Sequence, residues 1–123
     1  MKTGRKKSGG KYKKQRKKKF FETKEQPRIV NLGERKTRKI RTRGGKQKTV
    51  LLSENKANLI DKKTKKSQKV EIKNVLETPS NRFLARQNVL VKSAVIETSV
   101  GRAKITNSPS QEGKIEAVLV EEK

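Results

Sequence analysis

Cysteine, histidine and tryptophan are absent from this chain, and aspartate occurs once, as Asp61. Without thiols there is neither a disulfide framework nor a zinc knuckle to compensate for a small core, and a reducing, cytoplasmic location is the expectation. Without histidine, and with one aspartate, the usual general base, the thiol nucleophile and most transition-metal sites are missing as well. The chain therefore reads as a non-enzyme with no catalytic residue, no metal, no cofactor and no small-molecule substrate. Glu121-Glu122 stand at the end of the sequence, and serines beside lysines are expected by chance among 35 basic residues.

Long apolar runs are also missing. The longest, such as Val89-Leu90-Val91 and Ala117-Val118-Leu119-Val120, fall far short of the roughly twenty residues that cross a bilayer. Met1 is followed by Lys2 and Arg5 rather than by the apolar stretch of a signal peptide. Hydrophobic residues make up 28% of the chain and aromatic residues 3%, which places it between a poorly apolar globular chain and a charged disordered one. At 123 residues there is room for one compact domain and an arm.

What the sequence has in excess is positive charge, 35 Lys and Arg against 12 acids. Up to Lys48 it carries 21 basic residues and three acids, Glu22, Glu25 and Glu34, a local net charge of +18, while the remainder carries +5. Between Lys2 and Lys19 the non-basic residues are Thr3, Gly4, Ser8, Gly9, Gly10, Tyr12 and Gln15. No apolar stripe holds this piece against a core, so residues 1–26 are expected to form a basic arm that is disordered when free. Arg5, Lys6, Lys7, Lys11, Lys13, Lys14, Arg16, Lys17, Lys18 and Lys19 are its candidate phosphate contacts, and Gly9-Gly10 either brings main-chain NH groups to phosphate or serves as a flexible link. Phe20-Phe21 reads first as an anchor between arm and domain, and second as a pair that stacks on unpaired bases. The run from Gly4 to Tyr12 is not a P-loop: it has one residue too many before Gly10-Lys11, and Tyr12 stands where a Mg²⁺-ligating hydroxyl belongs.

Arg35 to Arg43 has the Thr and Ile of an extended segment, yet both alternating faces are basic. Gly44-Gly45 turns the chain and Gln47 to Leu52 returns, so 35–49 is expected to be a hairpin with a charged tip. Arg35, Lys36, Arg38, Lys39, Arg41, Arg43, Gly44, Gly45, Lys46 and Lys48 are placed against nucleic acid, with Arg41 and Arg43 suited to forked hydrogen bonds and lysines to following a backbone. After Thr49 short β-rich runs recur with turn residues between them. Val70 and Ile72 point inward from a strictly alternating strand, and Asn74 breaks the period as a bulge or a strand end does. Val89-Leu90-Val91 and Val95-Ile96 read as strands around Lys92-Ser93, Ala103 and Ile105 alternate behind Gly101, and Ile115, Ala117 and Leu119 share a face. The fold class expected is mainly β, a small β-barrel over 27–123 with a long basic N-terminal extension. A general nucleic-acid packaging protein remains an alternative at this point. A polybasic membrane module is disfavoured, because no apolar face accompanies the charge.

Arg5-Lys6-Lys7-Ser8-Gly9-Gly10, the basic run to Lys19 and then Phe21-Glu22 resemble the N-terminal signature of the S-eight-e family of small-subunit ribosomal proteins. Arg41 to Lys48 is similar to that family's double-glycine hairpin, Lys69 to Asn81 and Arg86 to Lys92 to its central strands, and Ser108 to Gly113 to its last turn. The short continuous middle resembles the compact archaeal form. Two departures stand out: Thr23-Lys24 where the family continues with an aliphatic residue and Gly, and Lys46-Gln47 where Asn and a basic residue follow the glycines. The resemblance implies a barrel in the small ribosomal subunit that binds and stabilises small-subunit rRNA through arm and hairpin, beside other small-subunit proteins and away from membranes.

Overall fold

Alternation of apolar and polar residues after Lys48 builds the strands, and a computed structural model describes them together with the rest of residues 4–12, 16–23 and 27–120. In chain order these are β1 (Asn31–Leu32), β2 (Lys36–Arg41), β3 (Gln47–Glu54), β4 (Lys56–Ile60), β5 (Ser67–Glu77), α1 (Arg82–Arg86), β6 (Val95–Thr98), β7 (Arg102–Ile105) and β8 (Glu116–Leu119). The last five strands close a barrel in the order β4-β5-β6-β7-β8, sealed by a parallel pairing of β4 with β8 in which Leu59 faces Ala117. Closure removes the open edges that a sheet with so little apolar material cannot otherwise protect.

The barrel interior is supplied by the inward members of each strand. Ala57, Leu59, Val70, Ile72, Ile96, Ala103, Ile105 and Ala117 are buried, as the alternation in their strands requires, and Ile115 just before β8 is buried with them. Each large aliphatic side chain removed from water contributes about 1.5–3 kcal/mol. In β5 the register against β6 shifts between Ile72 and Asn74, so the expected break at Asn74 is a bulge that leaves Val75, the next apolar residue, buried. Asp61, the single aspartate, closes the β4–β5 turn, its carboxylate accepting from Lys63 N at 2.9 Å and Thr64 Oγ1 at 2.8 Å.

β1, β2 and β3 form a separate three-stranded sheet, with β1 parallel and β2 antiparallel to the central β3. The hairpin of 35–49 is thus not a barrel strand pair. β3 ties it down from its inner end, where Val50 and Leu51 are fully buried and Leu51 N donates to Glu112 O. Val89-Leu90-Val91, expected as a strand, is reduced to a single bridge between Asn31 and Val89. α1 ends just before it, and Asn88 takes a positive φ of 52° that reverses the chain, so the pairing is limited to Leu90 N on Val30 O and Leu32 N on Asn88 O.

Candidate nucleic-acid interface

The hairpin tip is built by its two glycines. Gly44 and Gly45 hold φ of +79° and +80°, a region that strains side-chain-bearing residues. Thr42 N donates to Lys46 O at 2.7 Å and Thr42 Oγ1 to the same carbonyl at 2.9 Å, which clamps the turn shut. Lys36, Arg38, Lys39, Arg41, Arg43, Lys46 and Lys48 are all exposed, on both faces of a ladder that sets Arg38 opposite Val50 and Arg41 opposite Gln47. Among the described residues none of these seven cations pairs with a carboxylate. Charge set out on a paired ladder and left without a carboxylate among the described residues suits a polyanion.

Arg35 behaves differently. Its Nε lies 3.4 Å from Glu54 Oε2 and its Nη2 donates to Gly113 O at 3.5 Å, while the Glu54 carboxylate, buried at 5% exposure, also accepts from Asn55 N and Lys56 N. Arg35 therefore fastens the base of the hairpin to the barrel and neutralises a carboxylate that burial alone disfavours. Beside it opens a cleft of about 490 Å³ to which Lys56, Lys69 and Lys114 contribute. The sequence reading missed these three cations because they are isolated in sequence, on β4, β5 and the turn before β8, and only barrel closure gathers them.

In the amino-terminal region every described residue from 4 to 12 and from 16 to 23 is exposed. Gly9, at φ +79°, completes a tight turn in which Lys6 N donates to Gly10 O and Gly9 N to Lys6 O, each at 2.9 Å, and Arg5 bridges Lys11. The seven-residue reversal from Arg5 to Lys11 leaves Arg5, Lys6, Lys7 and Lys11 exposed. Lys17, Lys18 and Lys19 are also exposed and make no ion pair with a described carboxylate. Arg16 is committed: it makes a forked bond to Glu22, at 2.7 and 2.9 Å. Arg16, with help from the Lys19 main-chain NH, holds the Glu22 carboxyl below its usual value. Lys13 and Lys14, candidates from the sequence, lie outside the described residues.

The anchor expected at Phe20-Phe21 does not form. Phe20 is 94% and Phe21 71% exposed, on a single 3-10 turn closed by Glu22 rather than against the barrel. The short turn orients both rings outward while Glu22 is drawn to Arg16 and the Lys19 NH, so the local capping network, not core burial, decides their position.

The family described as Ribosomal protein S8e matches residues 1–120 of this sequence. A small ribosomal subunit protein eS8 from Methanocorpusculum labreanum is 42% identical over 120 residues, covering 98% of this chain and 96% of the relative. The protein of the same name from Nanoarchaeum equitans is 41% identical over 106 residues, 86% and 84% of the two chains, and that from Methanobrevibacter smithii is 40% identical over 94 residues, 76% and 75%.

Proposed function

This chain belongs to the ribosomal protein S8e family, and from that premise we propose that it binds and stabilises small-subunit rRNA through its basic arm, 1–26, and its hairpin, 35–49. As a protein of the small ribosomal subunit it is a structural component rather than an enzyme, and it sits with rRNA and other subunit proteins. The barrel, β4 to β8, docks on folded RNA. The hairpin reaches from it as a rigid probe, and the arm neutralises phosphates on RNA segments that otherwise repel.

One observation carries this reading: seven exposed hairpin cations pair with no carboxylate among the described residues, while the hairpin is tied to the rest of the fold through Leu51 and Arg35. Phosphate neutralisation by such a surface releases condensed counterions, so about six to ten contacts make affinity fall by roughly 10³–10⁵ between 50 and 200 mM salt. The experiment is a competition at moderate salt between small-subunit rRNA and duplex DNA at equal phosphate concentration, followed by sedimentation with reconstituting subunits. Preference for the rRNA and co-sedimentation support the proposal. Equal retention by both polyanions would reduce the protein to a nonspecific packaging cation.

A further inference from the structure

Around α1 lies a second place where, among the described residues, cations and polar groups lack protein partners, remote in sequence from the arm and the hairpin. α1, Arg82–Arg86, is capped by Asn81, whose Oδ1 accepts from Phe83 N at 2.9 Å, and it lays Phe83 open to solvent at 57% exposure. The guanidinium carbons of Arg82 and Arg86 each lie 5.8 Å from the centre of that ring, and among the described residues neither arginine pairs with a carboxylate. Both arginines also line an open cleft of about 530 Å³ between α1 and the end of β5, a volume in the range of small-ligand sites.

The polar groups of that cleft are donors in excess. Asn74 and Asn88 both turn their side-chain oxygens to Val75 N, at 2.9 and 3.3 Å, so among the described residues their amide nitrogens donate to no protein group. Thr78, only 2% exposed, lines the same cleft, and its hydroxyl is buried without a hydrogen-bond partner. A buried hydroxyl left unpaired is disfavoured in a folded protein unless something else bonds to it. Glu77 is the one carboxylate of the lining.

We propose that this cleft and Phe83 together hold one unpaired nucleotide of the small-subunit rRNA. The arginines meet its phosphate, Phe83 offers a face to its base, and the Thr78 hydroxyl and the two carboxamides bond its sugar and base edge. The positive balance of the lining and the ring with two guanidiniums within about 6 Å of its centre favour an anionic, aromatic ligand over a peptide. α1 is also joined to the hairpin's sheet, since Leu32 N donates to Asn88 O and Leu90 N to Val30 O. Hairpin and cleft thus grip RNA from connected pieces of backbone.

This inference rests on the rRNA-binding reading, and its test separates the two. Full-length wild type, R82Q/R86Q, F83L and T78V are titrated with small-subunit rRNA and with duplex DNA over a salt series, and the wild-type complex is photocrosslinked. Loss of the one phosphate contact that the two arginines share should lower the salt slope of R82Q/R86Q by about 0.7–0.9. F83L should weaken rRNA binding about 5- to 150-fold with the slope unchanged, since stacking releases no counterions. T78V should weaken binding while raising the melting temperature of the free protein, which a failure to fold cannot imitate. A crosslink from Phe83 to one or two nucleotides completes the support. Unchanged affinity and slope in all three variants, with the wild type still preferring rRNA, overturns the cleft and spares the general reading. Variants normal on naked rRNA but lost from the assembled subunit would assign the face to a neighbouring protein and overturn it equally. No rRNA preference in the wild type overturns both.

Discussion

Glu22 shows how one carboxylate can redirect several neighbours. It takes both guanidinium nitrogens of Arg16 and the NH of Lys19, and in doing so it turns Phe20 and Phe21 outward. Because its folded carboxyl lies below the usual value, the contribution of this cap to the folded form is complete above the ordinary carboxylate range and is lost as pH falls through the depressed value. A side-chain NMR titration of Glu22 should therefore show a midpoint below that of an unpaired glutamate, and Arg16→Ala should move it upward. An unshifted midpoint in the wild type would mean that the fork does not persist in solution. Thr78 makes the opposite case, a polar atom buried with no partner among the described residues. Replacing its hydroxyl by a methyl group of the same shape removes an unmet desolvation penalty of about 1–3 kcal/mol, so Thr78→Val should raise the denaturant midpoint of the free protein. A lowered midpoint would show that water or a neighbour satisfies the hydroxyl.

Among the elements, the hairpin was the most legible from sequence, because Gly44-Gly45 between two β-rich runs encodes a turn locally. Both glycines hold the positive φ that such a turn requires. Substituting Gly44 by alanine meets open space but retains the φ penalty of roughly 1 kcal/mol. Amide exchange at Thr42 and Gly45 should quicken while the barrel amides stay protected; uniform quickening would contradict a hairpin stabilised independently of the barrel. Reversing Arg38, Arg41 and Arg43 to glutamate should weaken rRNA binding at least a hundredfold and flatten its salt dependence, since each phosphate contact contributes about 0.7–0.9 to the slope. Intact affinity in that variant would remove the hairpin from the interface. α1 was not legible. Five residues with one buried side chain, Ala85, give no helical period to detect, and the cap at Asn81 resembles any loop.

At the scale of the molecule, charge and core occupy different parts of the chain: every described residue of 4–12 and 16–23 is exposed, while the buried aliphatics begin at Val30. Removing 2–19 should therefore leave the β-sheet circular-dichroism signal and melting temperature of the barrel nearly unchanged, with rRNA affinity and salt slope both reduced. Collapse of the sheet signal would show the arm to be part of the fold. Truncating a barrel residue should do the reverse. Ile96→Ala, at a fully buried site, should cost about 2–5 kcal/mol of stability, a loss read directly by chemical denaturation.

Sequence alone determined the segregation of charge, the inward members of the barrel strands, the break in period at Asn74 and the glycine turn, because each depends on neighbours within a few positions along the chain. Tertiary structure decided which strands meet, and with them the fates of particular side chains. Arg35 is recruited from the surface by Glu54 and by Gly113, 78 positions away, Lys56, Lys69 and Lys114 converge on one cleft, and Arg82, Arg86 and Thr78 share another. No local pattern announces such gatherings, since closing the barrel is what brings these residues within bonding distance.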